Sequence, residues 1–170
     1  MGRANHLVLN VAELLRRPGS ERALTLESST EELVLVDDRI VDGAVGIDLR
    51  LDALTDGVVV HGSVTATWRG LCRRCLVELG GSFVVPVHEV YQSVLTDPDA
   101  FPIVQEQVDL VPMVREALLL EAPATPLCRD SCAGLCPVCG VDRNVTSCSC
   151  TSPVVDNRWA ALDVLKPDSR

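Results

Sequence analysis

Eight cysteines constrain this chain more than any other feature, because they fall into four close pairs. The pairs are Cys72 with Cys75, Cys128 with Cys132, Cys136 with Cys139, and Cys148 with Cys150. Two thiolates a few residues apart can bind one side of a metal ion from a single tight turn. A chance scatter of small buried residues does not produce this grouping, so the pattern predicts metal ligands.

Two of the pairs have the spacing of zinc knuckles. In Cys136-Pro-Val-Cys139-Gly140, proline bends the chain and glycine permits the open backbone that turns amides towards sulfur. Cys72-Arg-Arg-Cys75 stands between two strand-like runs, which places it in a hairpin turn. A thioredoxin-type redox pair is instead expected at the start of a helix, where the dipole lowers the thiol pKa.

Eight ligands suffice for two closed sites. We predict that one site contains Cys72, Cys75, Cys128 and Cys132. We predict that the other contains Cys136, Cys139, Cys148 and Cys150. A single zinc ion bound by some of the last six cysteines is the main alternative. A closed tetrathiolate leaves no coordination position for water, so the predicted role of the metal is structural and no catalytic residues are predicted.

The expected compartment supports metal over disulfides. The N-terminus lacks the apolar core and cleavage site of a signal peptide, which predicts a cytoplasmic protein. The most apolar segment, Leu110–Ala122, is interrupted by Arg115 and Glu116 and is too short to cross a bilayer, so no membrane association is expected. In a reducing compartment, paired cysteines are more often metal ligands or redox centres than disulfides.

The charge balance argues against a nucleic-acid coat. The formal net charge is −9, and the chain has five aromatic residues for stacking on bases. Nucleic-acid binders usually carry a basic face, whereas an acidic chain suits a basic protein partner. Five arginines near the cysteines are candidate contacts to a partner or to RNA: Arg69, Arg73, Arg74, Arg129 and Arg143. Alternatively, they offset the negative charge of metal thiolates.

Hydrophobic periodicity predicts an α+β protein with a mainly antiparallel β body, one well-defined helix and a small cysteine-rich zinc-knuckle segment. Predicted strands are Ala23–Glu27, Leu33–Val36, Val45–Leu51, Val58–Trp68 and Val84–Val94, after a strand and short helix within Leu7–Leu15. The helix is predicted at about 110–121. We expect a β-rich body over 1–125, a zinc-binding segment over 126–151, and a C-terminal segment over 152–170 that packs back on the body.

Four motifs in this order resemble the YceD family of large ribosomal RNA subunit accumulation proteins. They are Gly70-Leu-Cys-Arg-Arg-Cys-Leu76, the helix segment Val108–Leu120 with its following prolines, Cys128–Asn144, and Asp156–Leu165. The chain has Val141-Asp-Arg-Asn144 where the family commonly shows an Asn-Leu-Asn-like ending. The resemblance implies a non-enzymatic bacterial or plastid-type factor needed for normal accumulation of 23S ribosomal RNA.

The resemblance and the charge together predict a partner in ribosome assembly. We expect binding to a basic ribosomal protein or a large-subunit assembly intermediate, with any RNA contact indirect. The competing classes are a thiol oxidoreductase using Cys72 and Cys75, an enzyme that processes ribosomal RNA, and a zinc-ribbon regulator. A processing nuclease needs carboxylates around an open metal site, and the acidic charge disfavours the regulator.

Overall fold

The computed structural model describes residues 6–151 together with Arg158 and Leu162. Within these residues the chain forms seven strands and two helices. In chain order they are β1 Val8–Asn10, α1 Ala12–Leu15, β2 Glu21–Ser29, β3 Ala44–Ala53, β4 Gly57–Leu71, β5 Glu78–Gln92, β6 Phe101–Val104, β7 Gln107–Asp109 and α2 Val111–Glu121. A mainly β protein with few helices, as the sequence predicts, is therefore confirmed.

The seven strands form one sheet in the order β1-β7-β6-β5-β4-β3-β2. The pairs β1 with β7, β2 with β3, β3 with β4 and β6 with β7 are antiparallel. The exception is β5 with β6, which pairs in parallel through Tyr91 and Gln92. Because β4 and β5 are consecutive in the chain and adjacent in the sheet, the turn that joins them carries the first cysteine pair.

Strand β3 shows why this sequence forms a sheet. Val45, Ile47, Leu49 and Leu51 are buried, whereas the alternate residues carry the polar side chains of this strand. Successive side chains of a strand point to opposite faces, so this alternation buries one face and exposes the other. The buried faces of the strands and of α2 share one hydrophobic core.

The end of helix α2 is hydrogen-bonded to Arg39, which lies in a turn of the body. The Arg39 guanidinium donates to the carbonyl oxygens of Leu119 and Ala122, at 3.1 and 2.8 Å, where the helix ends. The same guanidinium pairs in a bidentate manner with Asp37 at 2.8 and 2.9 Å. These hydrogen bonds hold the pKa of Asp37 below its usual value. Arg39 thus supplies donors to carbonyls that have no partner within the helix.

The structure corrects one predicted strand. Residues 31–34 form a turn instead, and residues 35 and 36 follow it outside any strand. The amides of Leu33 and Leu35 donate to the carbonyl oxygens of Ser29 and Thr30. Leu33 and Leu35 are nevertheless buried. Val34 between them has a φ of 49°, so its side chain points to solvent. A left-handed residue in a turn therefore produces the same alternating burial as a strand.

The described chain divides into two compact units. Unit one comprises Met1–Gly70 and Glu78–Pro126, and unit two comprises Leu71–Val77 and Leu127–Arg170. The predicted boundaries at 125 and 151 stay a prediction. The predicted C-terminal segment, 152–170, lies outside the described residues except for Arg158 and Leu162.

In the part of the chain that the structure describes, no helix has the length and apolar character needed to span a membrane.

Candidate metal centre

The sulfur atoms of Cys72, Cys75, Cys128 and Cys132 come together in unit two, in a group that we call cluster one. All four sulfurs lie within 4.8 Å of one another. The Sγ atoms of Cys72 and Cys132 are 3.9 Å apart, and those of Cys75 and Cys128 are 3.7 Å apart. Cys72 and Cys132 are buried, whereas Cys128 is exposed.

The remaining cysteines, Cys136, Cys139, Cys148 and Cys150, form cluster two with the same 4.8 Å limit between sulfurs. This cluster is more open, because Cys139 and Cys150 are exposed and only Cys136 is buried. The structure thus brings the eight sulfurs together in the two groups that the spacing predicts. Among the described residues these are the groups with the geometry to bind a metal ion.

The dimensions of cluster one fit a tetrahedral metal site. Zn–S bonds of about 2.3 Å in a tetrahedron separate the sulfurs by about 3.8 Å. The two measured separations, 3.9 and 3.7 Å, bracket that value. A disulfide bond requires a separation of about 2.05 Å, and all eight cysteines are free thiols. Both clusters therefore have the donor set of a closed tetrathiolate.

The first pair of each cluster lies in the same backbone turn, which we call knuckle one (72–77) and knuckle two (136–141). In knuckle one the Cys72 amide donates to the Val77 carbonyl at 2.8 Å, and the Leu76 amide donates to the Cys72 carbonyl at 2.9 Å. Knuckle two repeats both bonds at the same distances, from Cys136 to Val141 and from Gly140 to Cys136. The two C-x-x-C motifs thus fold into equivalent turns.

Unit two has little else to bury. The described residues of this unit that are buried are Cys72, Cys132, Gly134 and Cys136, and the hydrophobic core lies entirely in unit one. Apolar side chains of unit two, such as Val138 and Val145, are 59% and 83% exposed. A small unit without an apolar core usually needs disulfides or a metal to fold. The thiol clusters occupy the place of a core.

Comparison with known families decides which family the chain represents. The family described as "Large ribosomal RNA subunit accumulation protein YceD" matches residues 60–166, a span that includes both clusters. The chain belongs to the YceD family. The predicted family resemblance is therefore confirmed.

Relatives of this YceD-family chain occur in mycobacteria. It is 34% identical to uncharacterized protein Rv2926c of Mycobacterium tuberculosis, over 98% of this chain and 84% of the relative. It is 30% identical to uncharacterized protein ML1660 of Mycobacterium leprae, over 95% of this chain and 79% of the relative. No solved structure matches the chain.

Backbone amides stabilise a thiolate at Cys72 in cluster one and at Cys136 in cluster two of this YceD-family chain. Amide donation, chiefly from Cys75, lowers the pKa of Cys72 to about 6 although burial opposes the shift. The amides of Cys139 and Val138 likewise lower the pKa of Cys136 to about 6. These hydrogen bonds stabilise the ionised form, which is the form that binds metal.

Two other thiols, Cys128 and Cys150, have pKa values shifted in the opposite direction. Although Cys128 is exposed as a residue, partial desolvation of its thiol, followed by the neighbouring Cys132 sulfur, raises its pKa to about 12. The Cys139 sulfur is the main cause that raises the pKa of Cys150 to about 12. Negative charge on one sulfur disfavours negative charge on the next, so a cation must replace the protons. Metal binding to these clusters would therefore release protons and weaken in acid.

Asn144, which is not among the predicted site residues, contacts the predicted ligand Cys132 directly. Its side-chain Nδ2 donates to Cys132 Sγ at 3.4 Å and to Asp142 Oδ1 at 2.6 Å. Hydrogen bonds of this kind orient a ligand and adjust its charge. The family comparison already drew attention to Val141–Asn144, but the spacing of cysteines alone gives no reason to select an asparagine.

Two of the five candidate arginines, one in β4 and one in knuckle one, donate hydrogen bonds to backbone carbonyls. Arg69 lies in β4 and its Nε donates to the Asp38 carbonyl at 3.3 Å. The Arg74 guanidinium donates to the carbonyls of Asp130 and Cys132, both at 3.0 Å. Arg74 therefore holds together the two chain segments that supply cluster one.

The other three arginines lie at the surface of unit two. Arg129 donates from Nη2 to the Asn144 side-chain oxygen at 2.8 Å. Arg73 and Arg143 have exposed side chains, and the Arg143 amide donates to the Gly134 carbonyl at 2.9 Å. Arg69, Arg74 and Arg129 therefore have structural partners, while binding of a partner molecule by any of the five arginines stays a prediction.

The fifth residue of each knuckle provides a matched pair of substitutions. Gly140 has a φ of 74° with open space around it, whereas Leu76 occupies the equivalent position with a φ of 61°. We expect Gly140→Leu to weaken zinc binding about 5- to 30-fold, because a left-handed L-residue costs about 1–2 kcal/mol. Leu76→Gly should weaken zinc binding little or strengthen it. Competition with a chromophoric chelator measures the zinc affinity of both variants. Equal losses of affinity in both would contradict the left-handed backbone assigned to this position.

Proposed function

We propose that this chain is a non-enzymatic factor in the biogenesis of the large ribosomal subunit and supports the accumulation of 23S ribosomal RNA. The name of its family implies involvement in the accumulation of large-subunit ribosomal RNA, and the match covers both cysteine clusters. A cytoplasmic location follows from this proposal, because bacterial ribosomes assemble there.

Each cluster binds one zinc ion in a structural role. The observation that carries this proposal is that cysteines replace an apolar core in the described part of unit two. Four thiolates in a tetrahedron are the donor set that zinc prefers in structural sites. Because four protein ligands fill such a site, the ion stabilises the fold and does not activate water.

Charge favours a protein partner over bare RNA. The described part of unit one carries nineteen acidic side chains against seven arginines, a surface that repels phosphate. The described segments of unit two, 71–77 and 127–151, carry four arginines against two aspartates. Each filled tetrathiolate adds a net charge of about −2, which those arginines offset in part. A basic ribosomal protein, alone or within a precursor particle, therefore complements unit one.

A thiol oxidoreductase remains the competing class, since the pKa of Cys72 is lowered to about 6. However, the Cys72 side chain is fully buried, and its sulfur lies within 4.8 Å of three other sulfurs. Exchange of a disulfide requires access to the attacking sulfur, whereas a structural ligand requires none. The lowered pKa together with burial favours the ligand role.

Complementation tests the function in cells. In cells depleted of this protein, we expect the ratio of 23S to 16S ribosomal RNA to fall, and the wild-type chain to restore it. Cys132→Ser removes a buried ligand and should fail to restore the ratio. Ser149→Ala changes an exposed residue between two ligands and should restore it fully. An unchanged ratio after depletion would contradict the proposed function.

Affinity purification tests the partner. We expect a tagged chain to recover basic ribosomal proteins. Their amounts should be the same with and without nuclease treatment, because the contact is through protein. Recovery should fall with increasing salt, as expected for complementary charges. Loss of every protein after nuclease treatment, with tight binding to naked 23S fragments at physiological salt, would show that RNA is the direct partner.

A further inference from the structure

The Asn144 side chain uses its full hydrogen-bonding capacity. A side-chain amide has two N–H donors and an oxygen with two lone pairs. Nδ2 donates to Cys132 Sγ and Asp142 Oδ1, and Oδ1 accepts from the Ala133 amide and Arg129 Nη2, both at 2.8 Å. An amide with all four bonds made is held in one orientation.

Three of those four bonds lead to the loop that supplies half of cluster one. Cys132 is a predicted ligand of that cluster, and Ala133 follows it directly. Arg129 follows the ligand Cys128 in the same loop. The Asn144 amide is therefore bonded to Cys132, to the residue after it, and to the residue that follows Cys128.

Asn144 itself belongs to the chain segment that cluster two closes. It lies between Cys139 and Cys148, which are ligands of cluster two. The start of this segment is bonded to knuckle two, because the Cys136 amide donates to the Val141 carbonyl at 2.8 Å. A metal ion in cluster two would link both ends of the segment that carries Asn144.

We propose that the two clusters are one coupled pair, in which metal at cluster two holds Asn144 in position to complete the surroundings of cluster one. The proposal rests on the proposed metal binding. Asn144 is a positioning residue in this scheme, since it acts on metal through Cys132. Loss of such an outer contact typically weakens metal binding about 10- to 100-fold. By reciprocity, metal at cluster one must strengthen binding at cluster two by the same factor.

The physical origin of the coupling is the conformational entropy of the segment. Without metal at cluster two, residues 140–150 keep hydrogen bonds, such as that from the Arg143 amide to the Gly134 carbonyl, but lose the metal as a restraint. Ordering a backbone residue costs conformational entropy. When metal is already bound at cluster two, the segment is ordered and binding at cluster one loses less conformational entropy. Binding that has already ordered a segment makes the second binding event tighter.

Cobalt(II) titration of the full chain, followed by competition with zinc, tests the coupling. Cobalt–thiolate absorption counts the filled sites, and the competition gives their affinities. Cys148→Ser with Cys150→Ser disables cluster two and leaves both knuckles intact. We expect one bound ion instead of two, and a 10- to 100-fold weaker cluster one.

Asn144→Ala separates the coupling from loss of the second site. We expect it to bind two ions, with cluster one weakened by the same factor as in the ligand variant. In the combined variant the two effects should overlap and not multiply. Val145→Ala is the matched control, because the Val145 side chain is 83% exposed in the same segment. It should leave both affinities unchanged.

The outcomes distinguish the coupling from the metal centres themselves. Two ions bound with cluster one unaffected by Asn144→Ala or by the ligand variant would overturn the coupling alone. Effects that multiply in the combined variant would also overturn it. Absence of cobalt–thiolate absorption in the wild-type chain would overturn the metal centres, and the coupling with them.

Discussion

Removing metal with a strong chelator is expected to unfold unit two and to leave the sheet of unit one intact. The described residues of unit two bury cysteines and a glycine in place of an apolar core, so metal bound at the clusters should supply most of its folding free energy. Binding of structural zinc contributes about 10–16 kcal/mol at neutral pH in small zinc domains. Unit one keeps its own hydrophobic core, from Leu7 to Ala122.

Residue-by-residue hydrogen exchange tests this selective unfolding of unit two, with the zinc content measured on the same sample. We expect two zinc ions per chain before treatment and none after it. Amides of knuckle one and knuckle two should lose protection, whereas those of β3 and β4 should retain it. The control is the same chelator saturated with zinc beforehand. Protection of both knuckles that persists after complete metal removal would refute the structural role.

Adding a methyl group at Gly62 in the centre of β4 is expected to destabilise unit one severely. A Cβ built there overlaps the backbone carbonyl oxygen of Asp48 and lies 2.9 Å from the Leu49 Cα. Neither is the end of a flexible side chain, so the sheet itself must shift. The φ of Gly62 is also 147°, which L-residues rarely adopt. We expect Gly62→Ala to lower the free energy of unfolding by about 3 kcal/mol or more.

Urea denaturation followed by circular dichroism measures this loss. Gly46→Ala on the neighbouring strand β3 is the matched control, because its added Cβ meets only the Thr65 Cβ at an ordinary 3.7 Å. That variant should unfold at the wild-type midpoint or slightly above it, since alanine loses less backbone entropy on folding. Equal midpoints for the two variants would show that β4 can move away from β3.

Local patterns in the sequence carried much of the fold. The strict alternation from Val45 to Leu51 predicted β3 correctly, because burial of one sheet face imposes a period of two. The strand predicted at Leu33–Val36 was wrong, because the left-handed Val34 produces the same alternation of burial in a turn. The short strands β6 and β7 were also missed, because three or four residues are too few to show a period.

The cysteine spacings by themselves determined which thiols can share a turn, because two residues of a C-x-x-C motif are never far apart. They also led to the correct grouping of the eight sulfurs into two clusters. Only the tertiary structure decided that Asn144 bonds to Cys132, twelve residues earlier in the chain. The same holds for the Arg74 bonds to Asp130 and Cys132, across more than fifty residues. Side-chain hydrogen bonds depend on the positions of donor and acceptor atoms to within a few tenths of an ångström, and residue spacing along a chain carries no information at that scale.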